Sequence, residues 1–122
     1  MPGNTFNLNT QVHMTIVQSK TIHDQALVWD AHACFPLKPN ADLGELKRYT
    51  DSGVDFVSIN IGMDMDSFEN VVQVLAGYRY YLHTHPEDYV LARSVDDVLK
   101  AKESGKLAIA FDLEGSKPCS EI

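Results

Sequence analysis

The stretch LVWDAHACFPL, Leu27–Leu37, decides how this chain is read. Its apolar start, Leu27-Val28-Trp29, gives way to Asp30, His32 and Cys34 and then to Pro36. An apolar run closed by a proline reads as a buried strand, here over 27–31, that feeds a loop. Residues two apart in extended chain point to one side, so Asp30, His32 and Cys34 are expected on the same face. An acid, an imidazole and a thiol gathered there have two readings. One is a satisfied core histidine beside a buried cysteine; the other is a set of metal ligands.

Two more runs of the same kind follow: VDFVSINIG over 54–62 and LAIAFDLEG over 107–115. Both are nearly continuous in apolar residues, the pattern of parallel strands covered on both faces. Helical spacing fills the gaps between them. Asp42 with Glu45 three residues on suggests a capping box for a helix over 43–52 that stops at Gly53. Asp66 or Ser67 opens a longer helix, with Phe68, Val71, Val72, Leu75, Tyr78 and Leu82 on its apolar face, ending before Pro86. Ser94 with Asp97 opens a short one that faces Val95, Val98 and Leu99 inward and stops at Gly105. Residues 1–12 are polar and read as a flexible leader, with a short helix over 13–23 behind it. The order implies an α/β fold of about three βα units in a parallel sheet. The third strand ends close to the last residue, so the sheet reads as the first three βα units of something larger, with a complete small sheet as the alternative. Val28, Val57, Ile59, Ile109 and Phe111 would then line a bare inner face that drives association.

Composition narrows the function. The 122 residues suit one domain, with 44% apolar and 22% charged residues. A net charge of −7 argues against nucleic acid as a partner. No run reaches the roughly 20 apolar residues of a membrane span, and the start lacks the pattern of a signal peptide. Two cysteines, Cys34 and Cys119, are too few for a disulfide framework, so free thiols in a reducing cytoplasm are expected.

In parallel α/β folds the chemistry sits at the carboxyl ends of the strands. The first strand ends in Asp30, His32 and Cys34, the second in Asn60 and Gly62, and the third in Asp112 and Glu114. An imidazole, a thiolate and a carboxylate suit zinc better than calcium or magnesium. His83 and His85 straddle a helix end and are read as surface residues, and Tyr78, Tyr80 and Tyr81 as packing.

The motif DAHACFP, Asp30–Pro36, resembles the DGHNDLP motif that opens the membrane (renal) dipeptidase family of the amidohydrolase superfamily. DLEGSKP, Asp112–Pro118, resembles the glutamate before glycine that closes that family's third strand. HTHPEDY, His83–Tyr89, and the segment Ser94–Ala108 match further motifs in the same order. The resemblance implies that residues 13–122 are the N-terminal part of a single (β/α)8 TIM barrel domain. It implies a zinc metallodipeptidase with two zinc ions, which cleaves dipeptides with a metal-activated water. His32 would bind the first ion, and Glu114 would bridge the two as the catalytic carboxylate. Cys34 falls where the family has an aspartate ligand. It either serves as a ligand itself or marks a non-catalytic relative that binds metal or another small ligand. The family's later ligands have no counterpart among the 122 residues, so the chain alone is expected to be inactive. A homodimer is the expectation for a full-length protein.

Overall fold

A computed structural model describes residues 8–121. Helix α1 (Leu8–Gln25) leads into β1 (Trp29–Ala33). A 3-10 turn (Gly44–Leu46) and α2 (Lys47–Asp51) connect to β2 (Phe56–Met63). Then come α3 (Phe68–Thr84), β3 (Tyr89–Leu91), α4 (Val95–Glu103), β4 (Leu107–Glu114) and a closing 3-10 turn (Lys117–Glu121). The part of the expected leader before Leu8 lies outside the described residues, and α1 already occupies the remainder.

The sheet runs β1-β2-β4-β3 and every pairing is parallel. The three strands read from the sequence are therefore neighbours, with boundaries shifted by up to two residues. The strand missed is β3, which adds to the far edge of β4 through Tyr89, Val90 and Leu91.

Val57, Ile59, Leu107 and Ile109 are fully buried, and they pack with Val71, Val74, Tyr78 and Leu82 of α3 and with Leu43 and Leu46. Burying one aliphatic side chain of this size is worth about 2 kcal/mol, so this layer is the main source of cohesion. Ser67 caps α3 by accepting a hydrogen bond from the Asn70 backbone N–H. The expected inner-face set is corrected here. Val57, Ile59 and Ile109 do not face a bare barrel interior; with Phe111 they form the layer under α3. The opposite face carries Phe56, Ser58 and Asn60 on β2, paired with Ala108, Ala110 and Asp112 on β4. Its lower end is apolar and covered by Val98 and Ala101 of α4. Its upper end is polar.

On α4 the inward side is Val98 and Ala101, while Val95 (63%) and Leu99 (44%) stay exposed, contrary to the sequence reading. The Ser94 cap forms as expected: its hydroxyl accepts from Asp97 N–H, and the Asp97 carboxylate accepts from Arg93 N–H. Asp42 instead accepts from Gly44 N–H at 2.8 Å, a local turn that starts a 3-10 segment and not the helix cap expected.

Candidate metal site at the strand ends

Two irregularities in the sheet aim the polar groups. Asp30 pairs with Val57 and Ala33 with Ile59, so β1 uses three steps where β2 uses two. A bulge of this kind changes which residues share a face. Asp30 therefore falls on the helix-facing side, and its carboxylate accepts from the His32 backbone N–H at 3.2 Å. His32 turns to the polar face. The expectation that Asp30 joins His32 and Cys34 is corrected by this extra residue. The second irregularity lies between Asn60 and Met63 of β2, opposite Asp112 to Glu114 of β4. Gly62 there approaches α3 closely: a Cβ at this position would lie 2.5 Å from a Val71 methyl carbon.

The polar face then gathers residues from three strand ends. His32 Nδ1 lies 2.8 Å from Asp112 Oδ1, and the Ser58 hydroxyl donates to Asp112 Oδ2 at 2.6 Å. The far ring nitrogen, His32 Nε2, is 3.5 Å from Cys34 Sγ and 3.5 Å from Glu114 Oε2. The donor atoms of His32, Cys34 and Glu114 all lie within 4.8 Å of one another. Asn60 is fully buried between them. Its Oδ1 accepts from Gly62 N–H at 2.9 Å and Glu114 N–H at 3.3 Å, which turns its Nδ2 toward Glu114 Oε2. Behind Glu114, Gly115 has φ +104, and a Cβ there would strike the Asp64 carboxylate. That carboxylate also accepts from Lys117 N–H, which fixes the turn after β4.

The structure thus brings His32, Cys34 and Glu114 together, as the sequence reading placed them. It adds Ser58, which was hidden inside an apolar run, and gives Asn60 and Asp112, read as strand-end residues, places beside Glu114 and the imidazole. His83 and His85 take no part. His85 instead stacks on Tyr81 with ring centroids 4.3 Å apart. Cys34 and Cys119 are both free and exposed. A cavity of about 590 Å³ borders the site only through Cys34, and Phe35, Arg48 and Tyr49 line it on the helix-facing side.

The hydrogen bond to Asp112 raises the His32 pKa above the ordinary 6.5, opposed by desolvation and aided by the charges of Asp112 and Glu114. A folded-state pKa raised in this way contributes stability that is complete below the unfolded value. It fades as pH rises through the raised one. His32→Gln is therefore expected to lower the thermal midpoint more in mildly acidic than in mildly alkaline buffer. An equal loss in both, by calorimetry, would mean that the pair carries no charge-dependent stability.

The loop behind Cys34 is held from α3. Tyr78, fully buried, donates its hydroxyl to Pro36 O at 2.7 Å, and burial pushes its pKa up to about 12, so it remains a donor. Among the described residues no helix is long and apolar enough to cross a membrane.

No protein-family model matches the chain, and no curated protein matches it in sequence. Solved structures share its fold, two of them from Pseudomonas aeruginosa. An amidohydrolase from Pseudomonas aeruginosa superimposes with a TM-score of 0.69 at 16% identity, over 83% of this chain and 30% of that one. The probable dipeptidase PvdM from Pseudomonas aeruginosa gives 0.66 at 14% identity, over 90% of this chain and 33% of that one. The chain spans about a third of the length of either structure, and over that third it shares their parallel α/β fold.

Proposed function

We propose that this chain carries part of the active site of a zinc-dependent hydrolase that cleaves dipeptides. The observation that carries the reading is the convergence of His32 Nε2, Cys34 Sγ and a Glu114 carboxylate oxygen at the carboxyl ends of β1 and β4, the parallel strands on either side of β2. The donor set fits the ion. Tetrahedral zinc with bonds of about 2.0–2.3 Å spaces its ligand atoms about 3.4–3.6 Å apart. Both separations from Nε2 are 3.5 Å. Thiolate and carboxylate together balance the charge of a divalent ion, and three protein ligands leave a fourth position open, as in catalytic zinc sites. When bound, zinc supplies a water acidified to a pKa of about 7 and polarises the scissile carbonyl.

The chain's own residues do the holding. His32 is presented from β1, Glu114 from β4 as the catalytic carboxylate, and Cys34 from the loop that Tyr78 ties to α3. Asn60 keeps the Glu114 backbone and carboxylate in place. Dipeptide as substrate follows from the resemblance of the motifs, and the likeness in fold to the probable dipeptidase PvdM supports it. A free thiol at the site suits a reducing cytoplasm. A second reading, metal or ligand binding without turnover, is favoured by Cys34 standing where the resemblance places an aspartate.

Cobalt(II) in place of zinc tests the ligand set. The wild-type chain is expected to show a thiolate-to-cobalt charge-transfer band. Cys34→Ser loses the band and metal affinity together, while Cys34→Asp loses the band and keeps the affinity. The 122 residues alone are expected to release no product from a dipeptide with zinc present, because the second ion that the resemblance implies finds no ligand set among them. A metal-loaded chain with no thiolate band would make Cys34 a packing residue. Turnover by the chain alone, abolished by Glu114→Ala, would overturn the single-ion view.

A further inference from the structure

The chain Ser58–Asp112–His32 runs from the middle of β2 through β4 to β1 and ends at the imidazole nitrogen farther from the metal-ligand cluster. A carboxylate accepts hydrogen bonds and donates none. Asp112 Oδ1 at 2.8 Å therefore requires a proton on His32 Nδ1. In the neutral ring this leaves the lone pair on Nε2, the nitrogen 3.5 Å from both Cys34 and Glu114. Ser58, whose residue is only 9% exposed, occupies the other carboxylate oxygen at 2.6 Å. With both oxygens engaged, the carboxylate is held in one orientation against the ring.

From this geometry we infer that Asp112 is a positioning residue, locked by Ser58, which fixes the tautomer and angle of His32 so that Nε2 is offered to the ion. The inference rests on the zinc reading above. It assigns Asp112 a role behind the ligand and not in the coordination sphere, although its position on β4, two residues before Glu114, would equally suggest a fourth ligand by sequence. Partners of this kind typically contribute tenfold to a hundredfold in metal affinity. The bulge in β1 is what makes the contact: without the extra residue between Asp30 and Ala33, the ring would point to the helix side.

The test uses the full chain, nitrogen-15 labelled. Long-range proton–nitrogen correlation of the metal-free protein reads which His32 nitrogen carries the proton, and competition with a chromogenic chelator reads zinc affinity. The expected wild-type result is the Nδ1–H tautomer. Asp112→Asn keeps the shape, and circular dichroism checks that the fold is retained. Its amide can turn an N–H toward Nδ1 and stabilise the opposite tautomer. Zinc affinity is then expected to fall tenfold to a hundredfold, with the stoichiometry unchanged. Ser58→Ala is expected to give a smaller fall in the same direction. A wild-type Nε2–H tautomer, or Asp112→Asn with wild-type affinity, overturns this inference while leaving the zinc reading standing. Loss of cobalt coordination number in Asp112→Asn, seen in its visible spectrum, would make Asp112 a ligand and overturn it too. A wild-type chain that takes up no zinc overturns both.

Discussion

Gly77→Ala is expected to destabilise the protein by about 3 kcal/mol, the upper end of what overpacking usually costs. The sign runs against local propensity, since alanine is better than glycine inside a helix by about 1 kcal/mol. Packing decides the outcome. Gly77 lies in the middle of α3 where the helix crosses the loop after β1, and a Cβ there would sit 1.8 Å from the Pro39 carbonyl oxygen and 2.6 Å from its carbon. The obstacle is backbone, so no rotamer relieves it. Either α3 lifts from the layer of Val57, Ile59 and Ile109, or the loop shifts and carries Cys34 with it. Urea denaturation measures the loss. A Gly77→Ala protein as stable as wild type would show that this loop is not seated against α3 as described.

The second large effect concerns how β1 is entered. Asp55 Oδ2 accepts from Val28 N–H at 2.8 Å and from Lys102 Nζ at 2.7 Å. Lys102 also donates to Ala26 O at 2.9 Å. The pair is largely shielded, with Asp55 12% and Lys102 29% exposed, and it ties the segment before β1 to the end of α4. Asp55→Ala leaves a backbone N–H and a shielded ammonium without their acceptor, which costs about 2 kcal/mol. Lys102→Met in the same chain is expected to restore part of that, because it removes the uncompensated charge. If the two losses simply added in a double-mutant cycle, the ion pair would contribute nothing to the entry of β1.

Much of this fold could be read before the structure. The three apolar runs, the caps at Ser67 and Ser94 and the proline after α3 carry strong local signals. What escaped has physical reasons. Tyr89–Leu91 is three residues long, too short for any periodicity, and it forms a strand only because β4 offers an edge. The inward side of α4 is not legible from residue size, because its large apolar residues, Val95 and Leu99, stay exposed while Ala101 is buried. The two faces of the sheet are hard to tell apart in the sequence for a related reason. VDFVSINIG looks uniformly apolar, yet alternate positions send Val57 and Ile59 to α3 and Ser58 and Asn60 to the site.

The candidate site followed the same rule. His32, Cys34 and Glu114 were legible because residue type and strand-end position agree. The exclusion of Asp30 was not, since two-residue alternation assumes an unbroken ladder and the bulge in β1 breaks it. The partnership of Asp112 with His32 spans 80 residues and depends on β4 lying beside β2 and not on its order in the chain. Among these details the sequence could supply the donors, and only the sheet could supply their angles.

If His32, Cys34 and Glu114 form one metal-binding unit, zinc uptake by this chain depends on all three. Zinc content per chain after equilibrium dialysis tests it most directly, on wild type, His32→Ala and Glu114→Ala together. One zinc ion per wild-type chain and none in either variant is the expected result, with Cys34 protected from alkylation only where zinc is present. A wild-type chain without zinc, or variants that retain it in full, would contradict the claim.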